Sequence, residues 1–168
     1  MLFSNLFPAL LVTATCAAAN PVPDETTINV LDARNTREVC APATACTNTP
    51  KTIKATYQIC FRFTSANRAK VIGRISGVQY YWGAAWYNPK AGYPYEYTIG
   101  GGLDNTHPFS KVGKAHTPST EVELAELNVN PGQHRLFTRY QQIGPYHTFP
   151  KDYVRCDHTY PQFNVPAK

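Results

Sequence analysis

Four of the five cysteines, three in the first half and one late, constrain this chain more than any other feature. Cys40, Cys46 and Cys60 lie close together, and Cys156 stands alone toward the far end of a 168-residue sequence. If all four are oxidised, one bridge must tie an early segment to Cys156. Any fold the chain adopts then has to bring its first and last parts side by side. Closing so long a loop stabilises by several kcal/mol in the chain-entropy description. A zinc site would be the rival use of these thiols, but there is no C-x-x-C pair and the histidines are scattered. We therefore expect two disulfides and neither a metal nor a cofactor.

The oxidising compartment this requires is indicated at the N-terminus. Residues 1–19 contain no charged side chain, their apolar stretch is broken by Pro8, and Ala17-Ala-Ala19 offers a small-residue cleavage site before Asn20. The stretch reads as a signal peptide, too short for a membrane-spanning helix of about 20 residues. Cys16 would leave with it. We expect a secreted, extracellular protein with three parts: a leader (1–19), a polar arm or propeptide (20–45) with Arg34 or Arg37 as processing points, and one domain (46–168).

Within that domain the texture points to an α+β class, an antiparallel β-sheet packed against one α-helix. Residues 52–63 are rich in β-formers and read as a strand. Residues 64–75 form the helix candidate: Thr64 or Ser65 can cap it, Ala69, Ile72 and Ile75 recur on one face, and Gly77 can end it. The aromatic run 78–87 has no clean assignment and reads as core or loop packing around Trp82 and Trp86. Residues 93–99, 121–127, 135–140 and 152–156 read as strands, with a long polar loop over 103–119.

Strand alternation places Tyr93, Tyr95 and Tyr97 on one face, and Glu121 with Glu123 on another. Arg135 follows across a short turn, and His147 sits in a loop beside glycine and proline. A carboxylate, a guanidinium and an imidazole suit metal-free cleavage of an RNA phosphodiester. The carboxylate takes the 2′-hydroxyl proton, the guanidinium holds the phosphoryl oxygens, and the imidazole protonates the leaving 5′-oxygen. The net charge of +5 suits a polyanion.

These pieces occur in the order found in the fungal guanyl-specific ribonucleases and the sarcin-like ribotoxins, which the C-terminal two-thirds resembles. The matching segments are Tyr93-Pro-Tyr-Glu-Tyr-Thr, Val122-Glu-Leu, Pro131-Gly-Gln-His-Arg-Leu-Phe, Tyr146-His-Thr and Asp152-Tyr-Val-Arg-Cys-Asp-His. The resemblance implies a microbial ribonuclease-like fold and an endoribonuclease working through a 2′,3′-cyclic phosphate. Glu123 would be the base, with Glu121 or Glu126 as alternatives, Arg135 the phosphate clamp and His147 the acid. Tyr93, Tyr95, Tyr97 and Tyr153 would contact substrate, with Tyr95 standing where the family has a histidine. A second branch of the resemblance is a secreted effector on the same scaffold that has lost catalysis and binds RNA or a host protein. The expected partners are RNA and a host protein rather than a membrane, with the chain a monomer. By the family pattern Cys40–Cys60 pairs alongside Cys46–Cys156, the alternative being Cys40–Cys46 with Cys60–Cys156.

Overall fold

The computed structural model describes residues 37–147 and 151–167. The leader, Arg34, Thr148 and most of the expected arm lie outside the described residues. Ten strands form two antiparallel sheets. The first contains β1 (Arg37–Cys40), β2 (Thr44–Thr47), β3 (Ile53–Phe63), β4 (Arg68–Trp82), β5 (Ala85–Tyr87) and β8 (Thr120–Asn128). The second has the order β10 (Tyr153–Val165), β9 (Gly132–Ile143), β6 (Tyr95–Leu103), β7 (His107–Ala115). No helix occurs among the described residues, so the expected α+β class is corrected to all-β.

The segment expected to be helical is the first half of β4, paired with β3 on one side and β8 on the other. Its competing signal is a period of two. Ala69, Val71, Gly73 and Ile75 are buried, while Arg68, Lys70 and Arg74 alternate toward solvent. β-Branched Val71, Ile72 and Ile75 suit a pleated surface flanked by partners on both sides. Gly77, expected to stop a helix, instead sits at φ 61° inside β4. There the register with β3 shifts between Thr56↔Ser76 and Lys54↔Gln79, so Gly77 forms a bulge. The expected polar loop over 103–119 is largely β7, an edge strand with only Phe109 and Ala115 buried. Its polarity reflects an edge facing water, where Lys111 and Lys114 discourage further pairing. β1 and the start of β2 bring residues assigned to the arm into the first sheet.

The sheets pack face to face. Along β3 the inward row is Ile53, Ala55, Tyr57, Ile59, Phe61 and Phe63. Opposite it lie Tyr95, Tyr97 and Ile99 of β6 and Leu136, Thr138 and Tyr140 of β9. Tyr57 stacks on Tyr140 at 5.4 Å, and its hydroxyl lies 3.2 Å from Thr138 Oγ1. Phe61 meets Phe109 and Phe163 at 6.3 and 5.4 Å. Both disulfides form in the preferred pairing. Cys40–Cys60 joins directly opposed residues of β1 and β3, and Cys46–Cys156 ties β2 to β10, linking the two sheets.

The glycine run in β6 sets the approach of β9. A Cβ on Gly101 would run into the carbonyl oxygen of Phe137, whereas one on Gly102 would have nothing nearer than His107 O at 3.8 Å. Gly101→Ala should therefore lower stability by about 3 kcal/mol and Gly102→Ala by less than about 1 kcal/mol. Urea unfolding of both variants checks this, and equal losses would contradict the packing of β6 on β9.

Candidate functional site

The second half of β4 outruns its partner β8, which pairs only with Arg68–Ile75. Beyond it β4 turns back on itself through β5, pairing Tyr80 with Tyr87, Tyr81 with Trp86 and Trp82 with Ala85. The turn residues Gly83 and Ala84 both have positive φ, 54° and 73°, the signature of a type I′ hairpin. Every residue from Tyr81 to Asn88 is exposed, Trp82 at 60%. One hairpin face carries Tyr81 and Trp86, 5.4 Å apart, with Lys54 Nζ 4.4 Å above the indole. The other face carries Trp82, stacked at 5.1 Å on Tyr146, which in turn meets Tyr93 at 5.9 Å. Lys90 Nζ lies 5.3 Å over the Tyr93 ring. A cavity of about 300 Å³ opens among Tyr80, Trp82, Tyr87, Asn88, Lys90, Tyr93, Pro145 and Tyr146. That size is the lower end of the range that holds small ligands.

Asn48 ties the surrounding loops together. Its buried side-chain oxygen accepts from the Thr52 and Ile53 N–H groups at 2.8 and 2.9 Å. Its amide donates to Thr52 Oγ1 and to the Lys151 carbonyl, both at 2.9 Å. Thr52 in turn accepts the Tyr81 N–H at 2.8 Å through its carbonyl. The loops of Lys51 and Lys151 are thereby held beside the hairpin. Segments 48–58, 76–95 and 144–147, which together with Lys151 build this end, hold Lys51, Lys54 and Lys90 and no aspartate or glutamate. Asp152, the residue after Lys151, is buried.

Charges on the outer face of the first sheet neutralise one another. Glu121 bonds Arg62 and Arg74 at 3.0 and 2.9 Å, and Arg68 bonds Glu126 at 2.6 Å. A bulge in β8 turns Glu121, Glu123 and Glu126 to the same outer face. A groove of about 360 Å³ on this face runs between Arg74 and Glu121, whose ion pair and the Arg74–Glu38 pair occupy its charged wall.

The residues expected to form a ribonuclease site are spread over the molecule. Glu123 lies exposed on β8 of the first sheet, 2.9 Å from Lys70 Nζ. Arg135 is exposed near the start of β9 in the second sheet. His147 follows the far end of that strand, at φ 52°, with its N–H donated to the Gly144 carbonyl at 3.3 Å. At a rise of about 3.4 Å per residue, β9 separates Arg135 from the His147 turn by roughly 25 Å. Tyr95 and Tyr97 point into the core, and Tyr95 is fully buried. Burial pushes the Tyr95 hydroxyl far above its ordinary pKa, which removes it as a base. Tyr153 is half-buried in a small cleft with Tyr97 and Gln141. Tyr93, Tyr95, Tyr153 and His147 lie toward one end of the sandwich, the aromatic one, away from Arg135.

No family model matches the chain, and no curated protein or solved structure matches it either.

The sequence reading missed Trp82, Trp86, Lys54 and Lys90 as surface groups. The available signal was Gly83 between the two tryptophans, since glycine at positive φ is a common first residue of a two-residue hairpin turn.

One titrating pair guards the opposite end. His134 Nδ1 donates to Asp104 Oδ2 at 2.6 Å, and Nε2 donates to the Asn130 carbonyl at 2.8 Å, an arrangement that needs the imidazolium. Burial works to lower the His134 pKa, but its bonds to Asp104 and Asn130 outweigh burial and raise it. Burial works to raise the Asp104 pKa, but bonds from His134 and the Arg135 N–H hold it low. The histidine's contribution is therefore complete below its unfolded pKa of about 6.5 and is lost as pH rises through its higher folded value. The aspartate's contribution is complete above its unfolded pKa of about 3.9 and is lost as pH falls through its lower folded value. Thermal unfolding from pH 4 to 9 should show stability declining on the alkaline side, and His134→Ala should remove that decline. An unchanged profile in the variant would contradict the assignment.

Proposed function

We propose that this chain is a secreted, disulfide-held binding module that docks a negatively charged partner and cleaves nothing. The observation that carries this reading is the segregation at the hairpin end of the sandwich. Six exposed aromatic rings and four lysines meet there in segments without a carboxylate, while on the outer face of the first sheet Arg62, Arg68, Lys70 and Arg74 are paired with glutamates. Unpaired positive charge beside aromatic surface attracts anions, and the paired face does not.

Secretion is supported by the leader and by two disulfides, which persist in oxidising surroundings. Against the ribonuclease reading stands the separation of the three groups it needs. Without a shared phosphate, Glu123 acts as a partner for Lys70, Arg135 caps the start of β9, and His147 belongs to the turn after it. The ribonuclease-like scaffold with its one helix is not kept by this all-β chain, so the effector branch contributes only the idea of a surface used for binding.

Mature protein incubated with single-stranded RNA in the presence of chelator should leave the RNA intact, with the same result for His147→Ala and Glu123→Ala. Specific cleavage that disappears in those variants would restore the enzyme. Retention on a heparin column should weaken when Lys51, Lys90 and Lys151 are together changed to glutamine. The same number of changes at Lys70, Lys111 and Lys114 should weaken it less. Equal losses would mean that net charge, not this end of the fold, drives the interaction.

A further inference from the structure

We infer that the β4–β5 hairpin seats this protein on a phospholipid membrane surface that carries anionic headgroups. The inference rests on the reading of this end as the docking site and names its partner.

The hairpin tip is the first argument. Residues 81–87 read Tyr-Trp-Gly-Ala-Ala-Trp-Tyr, with no charged or carboxamide side chain, and all are exposed. Tyr81 with Trp86 and Trp82 with Tyr87 cover opposite faces of a two-stranded ribbon. A ribbon apolar on both faces does not cover the core; it projects large rings into its surroundings. Contiguous exposed apolar surface of this kind marks a place where something docks. Ala84 sharpens the point. Its φ of 73° is a conformation in which asparagine, aspartate or glycine is relaxed. A methyl group there keeps the tip free of hydrogen-bonding side chains.

The second argument is the kind of residue present. Tryptophan and tyrosine combine an apolar ring with one polar atom, which suits the headgroup level of a bilayer. The flanking lysines can lay their stems along the rings and extend their ammonium groups to phosphates and carboxylates of lipid headgroups. Lys54 and Lys90 stand beside these rings, with their Nζ atoms 4.4 Å over Trp86 and 5.3 Å over Tyr93, one side-chain rotation from that posture. The absence of aspartate and glutamate from the surrounding segments removes the repulsion an anionic surface would meet.

The third argument separates a membrane from single-stranded RNA, the other polyanion with this charge requirement. Base stacking needs free ring faces. Here Tyr146 lies between Trp82 and Tyr93, and Trp86 lies between Tyr81 and Lys54. One face of Trp82 is taken by Tyr146 and one face of Trp86 by the Lys54 ammonium, and the tip offers no amide or guanidinium to read a base edge. A bilayer interface asks for neither.

The chain has two tryptophans, both in this hairpin, so intrinsic fluorescence reports on the docking surface directly. The mature protein is titrated with phosphatidylcholine vesicles, with vesicles that also contain phosphatidylserine, and with a single-stranded RNA oligonucleotide. Phosphatidylserine vesicles should shift the emission to the blue, and brominated acyl chains should quench it. Trp82→Ala and Trp86→Ala should each weaken vesicle binding by about tenfold, since each removes a whole ring from the interface. Ala84→Asn is the control for folding, because asparagine suits the turn. It should keep the melting temperature and weaken vesicle binding. Equal binding to phosphatidylcholine alone would overturn the anionic requirement. RNA binding with no response to any vesicle would overturn the membrane while leaving the anionic-partner reading intact. No response to vesicles, RNA or heparin would overturn both.

Discussion

The contact between the inward rows of β3 and β9, centred on Tyr57 against Tyr140, is the constraint from which the rest of the architecture follows. Two sheets that meet through tyrosines bury hydroxyls as well as rings. Tyr57 finds a partner at Thr138, and Tyr140 donates to Gln142. Such an offset ring pair is worth about 1 kcal/mol beyond the area it buries. Its larger effect is positional. It sets β9 across β3, and the bridge from Cys46 to Cys156 holds the adjoining strands β2 and β10 in that relation. With β9 in place, β6 must approach closely enough that Gly101 has no room for a side chain.

That packing also decides where a functional surface can lie. The sandwich consumes Tyr95, Tyr97 and Tyr140 in its core, and pairs Glu121, Glu123 and Glu126 with Arg62, Arg74, Lys70 and Arg68 on one outer face. What remains chemically unsatisfied is the end where β4 extends past β8. There the hairpin, the Asn48-bound loops and the Tyr146 turn converge, and the neighbouring carboxylate of Asp152 is buried. The extension of β4 beyond the sheet is therefore the step that turns a structural strand into a presenting element.

Much of this was legible in the sequence and some was not. The cysteine spacing demanded an early-to-late bridge, and the chain has one. The alternation in 52–63, 121–127 and 135–140 became β3, β8 and β9. The helix over 64–75 failed because Ala69, Ile72 and Ile75 satisfy a helical period and Ala69, Val71, Gly73 and Ile75 satisfy a strand period in the same twelve residues. Pairing with strands on both sides, distant in sequence, decided between them. The proposed Glu123, Arg135 and His147 set failed to converge for a related reason. Order along the chain is one-dimensional, whereas a shared ligand needs proximity, and a strand as long as β9 carries its two ends apart. The hairpin was underestimated because aromatic residues are most often core, and only the length of β4 relative to β8 shows that these have none to join.

Hydrogen–deuterium exchange, read on the mature protein with and without the partner bound, tests the central claim most directly. The account predicts slowed exchange at the hairpin around Trp82 and Trp86 and in the adjoining segment around Lys90 and Tyr93, with β8 and the start of β9 unchanged. Protection confined to the strands bearing Glu123 and Arg135, with the hairpin amides exchanging as freely as before, would contradict it.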